Sequence, residues 1–299
     1  MVKNEKVSVT AGIYRTYYKS RVVNKMKLLI IQADNRQTYM TQFLKENHYE
    51  CTVFSPNLFS GDKERQFDAV VFALPTIKNS RINCEYEVGL DMVFPLLKKN
   101  GYVFCAMIDD EFRKTAEEAE LKIYDFYKRE DLIVLNAAAT AQAVLELVLI
   151  NSNVMLKDLK ILVTGYGKTG EAIADIFKNN NADITVAARK SKDRAKAEMK
   201  NIKAVDFSGI EHIAGAFDIV INTVPERVID SNLLSRYNDE CMFFEVASRP
   251  FGIDITSAEE QGKKLIIASS LPGKYVARSA GEFIAQTIIN MIKEEGLND

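Results

Sequence analysis

The chain has 299 residues, enough for two domains that each bury a core. A hydrophobic content of 47% beside a charged content of 27% is that of a globular protein, and a formal net charge of -2 gives no electrostatic reason to expect a nucleic acid partner. Cys51, Cys84, Cys105 and Cys241 form no CxxC pair and have no metal-ligand spacing, which argues for a reducing compartment without a disulfide framework or metal site; no apolar run is expected to reach membrane-spanning length.

Residues 1–25 carry Lys3, Lys6, Arg15, Lys19, Arg21 and Lys25 against Glu5 alone, and they lack the apolar stretch of a secretory signal. They read as a disordered extension or the product of an upstream start codon, with the folded protein beginning at Met26. From there short β-rich runs alternate with helical stretches, which predicts an α/β fold with largely parallel sheets. In the first half, strands are expected at 27–32, 51–54, 68–73, 101–107, 121–126 and 132–135, and helices at 36–47, 88–99 and 110–119. The apolar stretch 140–151 reads as a helix connecting two domains. In the second half, strands are expected at 160–164, 183–188, 204–206, 217–222, 241–246 and 264–268, with a last helix at 279–293. The reading is of two doubly wound domains: a flavodoxin-like substrate domain at 26–148 and a Rossmann dinucleotide-binding domain at 149–299, whose final helix is expected to pack back on the first domain.

The strongest motif is Gly165-Tyr166-Gly167-Lys168-Thr169-Gly170, which follows the apolar run Ile161-Leu162-Val163 and precedes Ala172, Ile173, Ile176 and Phe177 on one helical face. Strand, glycine turn and helix in this order hold a dinucleotide pyrophosphate. The first glycine allows the tight turn, the second lets the backbone approach the anion, and the third lets the helix pack on the strand. The free N–H groups of the helix start would bind the anion. A site for NAD places a carboxylate about 20 residues after the glycines, at the end of the second strand. Here Ala188 is followed by Arg189, Lys190, Ser191 and Lys192, which suits the 2′-phosphate of NADP in preference to NAD.

Ligands of open α/β sheets bind beyond the carboxyl ends of the strands. Asn222, Thr223, Val224 and Pro225 follow one such strand and would line the nicotinamide side. Ala247 to Gly252 follow the next, and Leu271 to Lys274 the last. Arg249 is a candidate carboxylate anchor, with a structural ion pair as the alternative. Asp34 and Arg36 follow the first strand, where Asp34 would also serve as a helix cap. Asn136 and Thr140 would hydrogen-bond a substrate or cap the connecting helix. His48 and His212, the two histidines, lie away from strand ends, which disfavours a His–carboxylate acid/base pair. Hydride transfer relies on cofactor and positioning instead.

Taken in register, the glycine turn, Ala188-Arg189, Asn222-Thr223-Val224-Pro225, Ala247-Ser248-Arg249-Pro250, Leu271-Pro272-Gly273 and Ser279-Ala280-Gly281 resemble the A chains of bacterial dipicolinate synthase. The Asp34 and Arg36 pair looks like that family's first-strand motif, and the resemblance runs from residue 27 to about 293. It implies a cytoplasmic enzyme of the sporulating mother cell that works with a flavoprotein-like B subunit. Such an enzyme oxidises a dihydrodipicolinate-type precursor, derived from 4-hydroxy-tetrahydrodipicolinate, to dipicolinate and passes hydride to NADP. Arg249, then Arg36 and Lys274, would hold the carboxylates of this small cyclic substrate, and Ser248 and Asn222 would orient its ring. The chain departs from the family at Gln32-Ala33, where paired glycines are usual, and at Gln142-Ala143, where Glu-Gly is usual. Those changes leave two other readings open: an NADP-dependent dehydrogenase of another small acid, or a non-catalytic nucleotide-binding subunit. Homo-oligomerisation is also open.

Overall fold

A computed structural model describes residues 26–56 and 66–297, so the reading of 1–25 as an extension lies outside the described residues. The first domain runs β1 (Lys27–Ile30), α1 (Asn35–Glu46), β2 (Glu50–Val53), β3 (Phe67–Val71), a hairpin of β4 (Ile77–Lys78) and β5 (Arg81–Ile82), α2 (Leu90–Val93), β6 (Leu97–Cys105), α3 (Asp110–Glu118) and β7 (Lys122–Asp125). The long α4 (Glu130–Asn151) leads to the second domain. That domain runs β8 (Lys160–Thr164), α5 (Lys168–Asn179), β9 (Asp183–Ala187), α6 (Ser191–Met199), β10 (Lys203–Val205), β11 (Ile219–Asn222), α7 (Ser231–Leu234), β12 (Met242–Glu245), α8 (Ile255–Glu260), β13 (Lys264–Ile267), α9 (Leu271–Tyr275) and α10 (Ala277–Glu294).

The first sheet has the order β2-β1-β3-β6-β7 and the second β10-β9-β8-β11-β12-β13, with every pairing parallel. These are the two doubly wound arrangements expected of the alternating pattern, the first flavodoxin-like and the second Rossmann. Parallel sheets are covered on both faces, so their central strands read as continuous apolar runs. Leu28, Leu29 and Ile30 of β1 and Ile161, Leu162 and Val163 of β8 are accordingly all fully buried.

Two expected elements differ. Residues 132–135 form part of α4, because a four-residue apolar run has no periodicity that separates strand from helix. The acidic pair Glu130 and Asp131 stands in the first turn of that helix, where it favours the helical dipole. The helix expected at 88–99 is confined to α2, followed by a 3₁₀ turn containing Pro95; the chain then enters β6 at Leu97, which pairs with Phe67.

Helix α4 belongs to both cores. Leu132 packs with Leu28, Ile30 and Phe104 in the first domain, whereas Val144, Leu147 and Val148 pack with Ile161, Ile173 and Phe177 in the second. By length and composition this helix is long and apolar enough to cross a membrane, which corrects the expectation that no apolar run reaches that length: the helix begins at Glu130, ten residues before the stretch expected to be helical. Helix α10 crosses back in the same way: Ile284, Ala285, Ile288, Ile289 and Ile292 join Met40 and Leu44 of α1 in one core.

Candidate functional site

Strand β8 ends in Thr164, and the chain turns at Gly165 with φ +90°, in the left-handed region that favours glycine. A side chain there would also meet Thr223 Oγ1 at 2.5 Å. A Cβ on Gly170 would lie 2.2 Å from the Gly165 carbonyl oxygen, so α5 approaches the turn as closely as a glycine permits. Gly167 differs, because a Cβ there would have nothing within 4 Å. It is the N-cap of α5 and supplies no side-chain cap, so the amino end of that helix faces open space. Nothing among the described residues calls for a glycine at this position, whereas a dinucleotide pyrophosphate on the helix start would. These residues therefore fit the group.

Around the turn, Tyr166 points its ring into the core among Ile173, Phe177 and Val186, and its buried hydroxyl has no hydrogen-bond partner among the described residues. It therefore offers a nucleotide its backbone alone. Lys168 is exposed and pairs with Glu130 of α4 at 3.2 Å, and Thr169 is half-buried. Thr223 donates through Oγ1 to the Thr164 carbonyl at 2.8 Å; Val224 is half-buried and Pro225 exposed. Arg189 and Lys190, between β9 and α6, and Ser191, which opens α6, are exposed, with Arg189 in a loose pair with Glu226 at 3.4 Å. Arg194 donates to the carbonyls of Ala188 and Arg189 and so fixes the bend that displays these cations.

Several residues expected at a substrate are engaged elsewhere. Asn222 is fully buried and bonded within the fold: its amide donates to both oxygens of Glu245 and to the Val224 carbonyl, and its oxygen accepts from Thr164 Oγ1 at 2.6 Å and from Val224 N. Arg36, expected to hold a carboxylate, is 7% exposed and is held in an ion pair within the fold. Its guanidinium makes three hydrogen bonds to the Asp34 carboxylate and one to the Leu74 carbonyl, tying the segments after β1 and β3 together. Asp34 caps α1 in a capping box with Gln37, the local alternative foreseen for it. Burial pushes its carboxyl up, but Arg36 outweighs that and holds it below its ordinary value. Thr140 and Asn136 both lie inside α4, where the threonine hydroxyl donates to the Asn136 carbonyl, so neither caps its start. Ser248, Arg249 and Lys274 remain exposed.

The residue that sequence reasoning missed is Glu245. It ends the apolar β12 and is completely buried, in register with Asn222, which is itself in register with Thr164. A carboxylate closing an apolar strand beside another strand ending in Asn was the available signal. Burial pushes its carboxyl above the ordinary value, against the pull of bonds from Ile253, Asn222, Gly252 and Ala247. A separate groove of about 730 Å³ lies in the first domain, lined by residues that include Arg81, Cys84, Glu85 and Asp109. None of its lining comes from the glycine turn or the second sheet.

Residues 155–281 match the model of the acetohydroxy acid isomeroreductase NADPH-binding domain. The A chain of dipicolinate synthase from Bacillus subtilis (strain 168) is 26% identical over 192 residues, which is 64% of this chain and 65% of that relative's length. The crystal structure of the dipicolinate synthase A chain from Bacillus subtilis superimposes with a TM-score of 0.80 at 20% identity, covering 93% of this chain and 99% of that one. The corresponding structure from Bacillus halodurans has the same TM-score at 18% identity, covering 89% and 97%. The resemblance found in the motifs thus extends to the fold of nearly the whole chain.

Proposed function

We propose that this chain is a nicotinamide-dependent oxidoreductase of the dipicolinate synthase A type, using NADP to oxidise a small cyclic dicarboxylate of the dihydrodipicolinate class to dipicolinate. The observation that carries the reading is the glycine turn, where α5 starts uncapped and Gly167 has open space around its missing side chain. The similarity of residues 155–281 to an NADPH-binding domain supports it. So does the dicarboxylate for which the superimposed synthases are named.

NADP would accept a hydride from the ring, and loss of a proton would complete aromatisation. The helix start and the Gly167 backbone hold the pyrophosphate, and Arg189 with Lys190 binds the 2′-phosphate. Arg249 neutralises a ring carboxylate, and exposed Ser248 and Lys274 orient it. On this reading the chain carries the active site itself and a flavoprotein-like second subunit associates with it, in the cytoplasm of a sporulating mother cell. One observation favours a second reading. Asn222, Arg36 and Thr140 are all consumed by internal bonds, which also suits a nucleotide-binding subunit whose partner does the chemistry. Incubating the purified chain with NADP and the cyclic precursor, with and without the partner, separates the two. NADPH formation by the chain alone supports the enzyme, formation only with the partner supports the second reading, and no NADP binding at all refutes both.

A further inference from the structure

The loop after β12 leaves and re-enters the fold within a few residues, and one side chain holds both of its ends. Glu245 Oε1 accepts from Ala247 N at 2.9 Å, and Oε2 accepts from Gly252 N and Ile253 N, each at 2.9 Å. Between these anchors stand Ser248, Arg249, Pro250 and Phe251, three of them exposed and the last half-buried. The excursion is closed by a turn, Phe251 N donating to the Ser248 carbonyl at 3.1 Å, and Phe251 takes a left-handed φ of +70°. The Arg249 guanidinium lies over the Phe251 ring, 5.1 Å from its centroid. The return strand is wedged against β11, since a Cβ on Gly252 would lie 2.4 Å from the Val224 carbonyl and 2.5 Å from Asn222 Nδ2.

We propose that Glu245 is the positioning residue of the substrate loop, holding residues 247–253 so that Arg249 is presented in one orientation to a ligand carboxylate. The inference rests on the proposed function for the identity of that ligand, and on the hydrogen bonds above for the loop. Every group around the carboxylate is a donor, so an acceptor with two oxygens is required. Because Asn222 bonds to Glu245 on one side and to Thr164, beside the glycine turn, on the other, the clamp also ties the loop to the glycine turn. A misplacement of the order of an ångström at such a group is costly to binding and rate.

Glu245→Gln puts a donor among donors and releases an end of the loop, whereas Glu245→Asp keeps the two acceptors on a shorter stem. The probe is pyridine-2,6-dicarboxylate, titrated calorimetrically into the full chain saturated with NADP. Glu245→Gln is expected to raise its Kd about tenfold, with a smaller rise for Glu245→Asp and NADP affinity unchanged within about twofold. In an Arg249→Ala background Glu245→Gln is expected to have no further effect, because the loop then presents nothing. An equal loss in that background, or no loss in the parent chain, overturns the positioning role. If the parent chain binds no dicarboxylate, the proposed function fails and the clamp is judged by amide hydrogen exchange. Faster exchange at Ala247, Gly252 and Ile253 in Glu245→Gln sustains the clamp, and unchanged exchange overturns it.

Discussion

Gly281 of α10 lies directly on the backbone of Arg36 in α1: a Cβ at residue 281 would come 2.3 Å from the Arg36 carbonyl oxygen and 3.0 Å from Met40 N. The same arginine lies beside Gly273, whose missing side chain would meet Arg36 Nε at 2.9 Å. Two glycines near the end of the chain thus seat the C-terminal segments on the first domain. Gly281→Leu is expected to separate α1 from α10 and to destabilise the protein by about 1–3 kcal/mol through overpacking, read as a lower denaturant midpoint at unchanged slope. A midpoint equal to that of the parent chain would show that the helices are not in this contact.

The two inner glycines of the turn are expected to behave oppositely. Gly170→Ala drives a methyl into the Gly165 carbonyl, 2.2 Å away, and is expected to cost about 1–3 kcal/mol of stability. Gly167→Ala meets no atom of the described residues within 4 Å, so it is expected to cost at most about 1 kcal/mol as a changed N-cap. Its affinity for NADP is expected to fall about tenfold because the methyl occupies the anion's place. Denaturation curves and cofactor titrations of the two variants, taken together, check this.

Cofactor choice is expected to reside in Arg189. Loss of one charge-assisted contact of about 1.5–3 kcal/mol should weaken NADP by roughly tenfold or more and leave NAD unchanged. Glu226→Gln, which frees Arg189 from its 3.4 Å pair, is expected to keep or improve NADP binding. Equal affinities for the two nucleotides in the parent chain would refute the preference.

A pH dependence follows from Arg129, which bonds Asp131 at the start of α4 and Glu294 at the end of α10. The guanidinium holds both carboxyls below their ordinary values of 3.8 and 4.5. Groups depressed on folding stabilise the folded state above their unfolded values, and that gain is lost as pH falls through the folded ones. Arg129→Met is therefore expected to lower the urea midpoint near neutral pH, the difference from the parent chain closing as the solution is acidified below about pH 4. A difference independent of pH would assign the effect to packing.

Much of the fold is legible in the chain itself. The runs Leu28-Leu29-Ile30 and Ile161-Leu162-Val163 could be strands because each is apolar on both faces, as only a covered parallel sheet requires. The turn from Gly165 to Gly170 is legible for a similar reason: its spacing answers a local backbone demand, a positive φ at one end and a close helix approach at the other. Residues 132–135 are not legible as helix because a short apolar run carries no period. The hairpin of β4 and β5 escapes notice because each strand has only two residues.

The chain order alone, then, determined two doubly wound domains, a glycine turn and a set of polar residues at strand ends, since these depend on periodicity and local conformation. It did not determine which of those polar residues are buried and which stand exposed. Asn222 and Arg249 each closely follow or end a strand, yet Asn222 turns inward to Glu245 and Arg249 stands exposed over Phe251. Only the tertiary structure decided this, because a buried polar side chain must find partners from strands far apart in sequence. Thr164, Asn222 and Glu245 meet only when β8, β11 and β12 lie side by side.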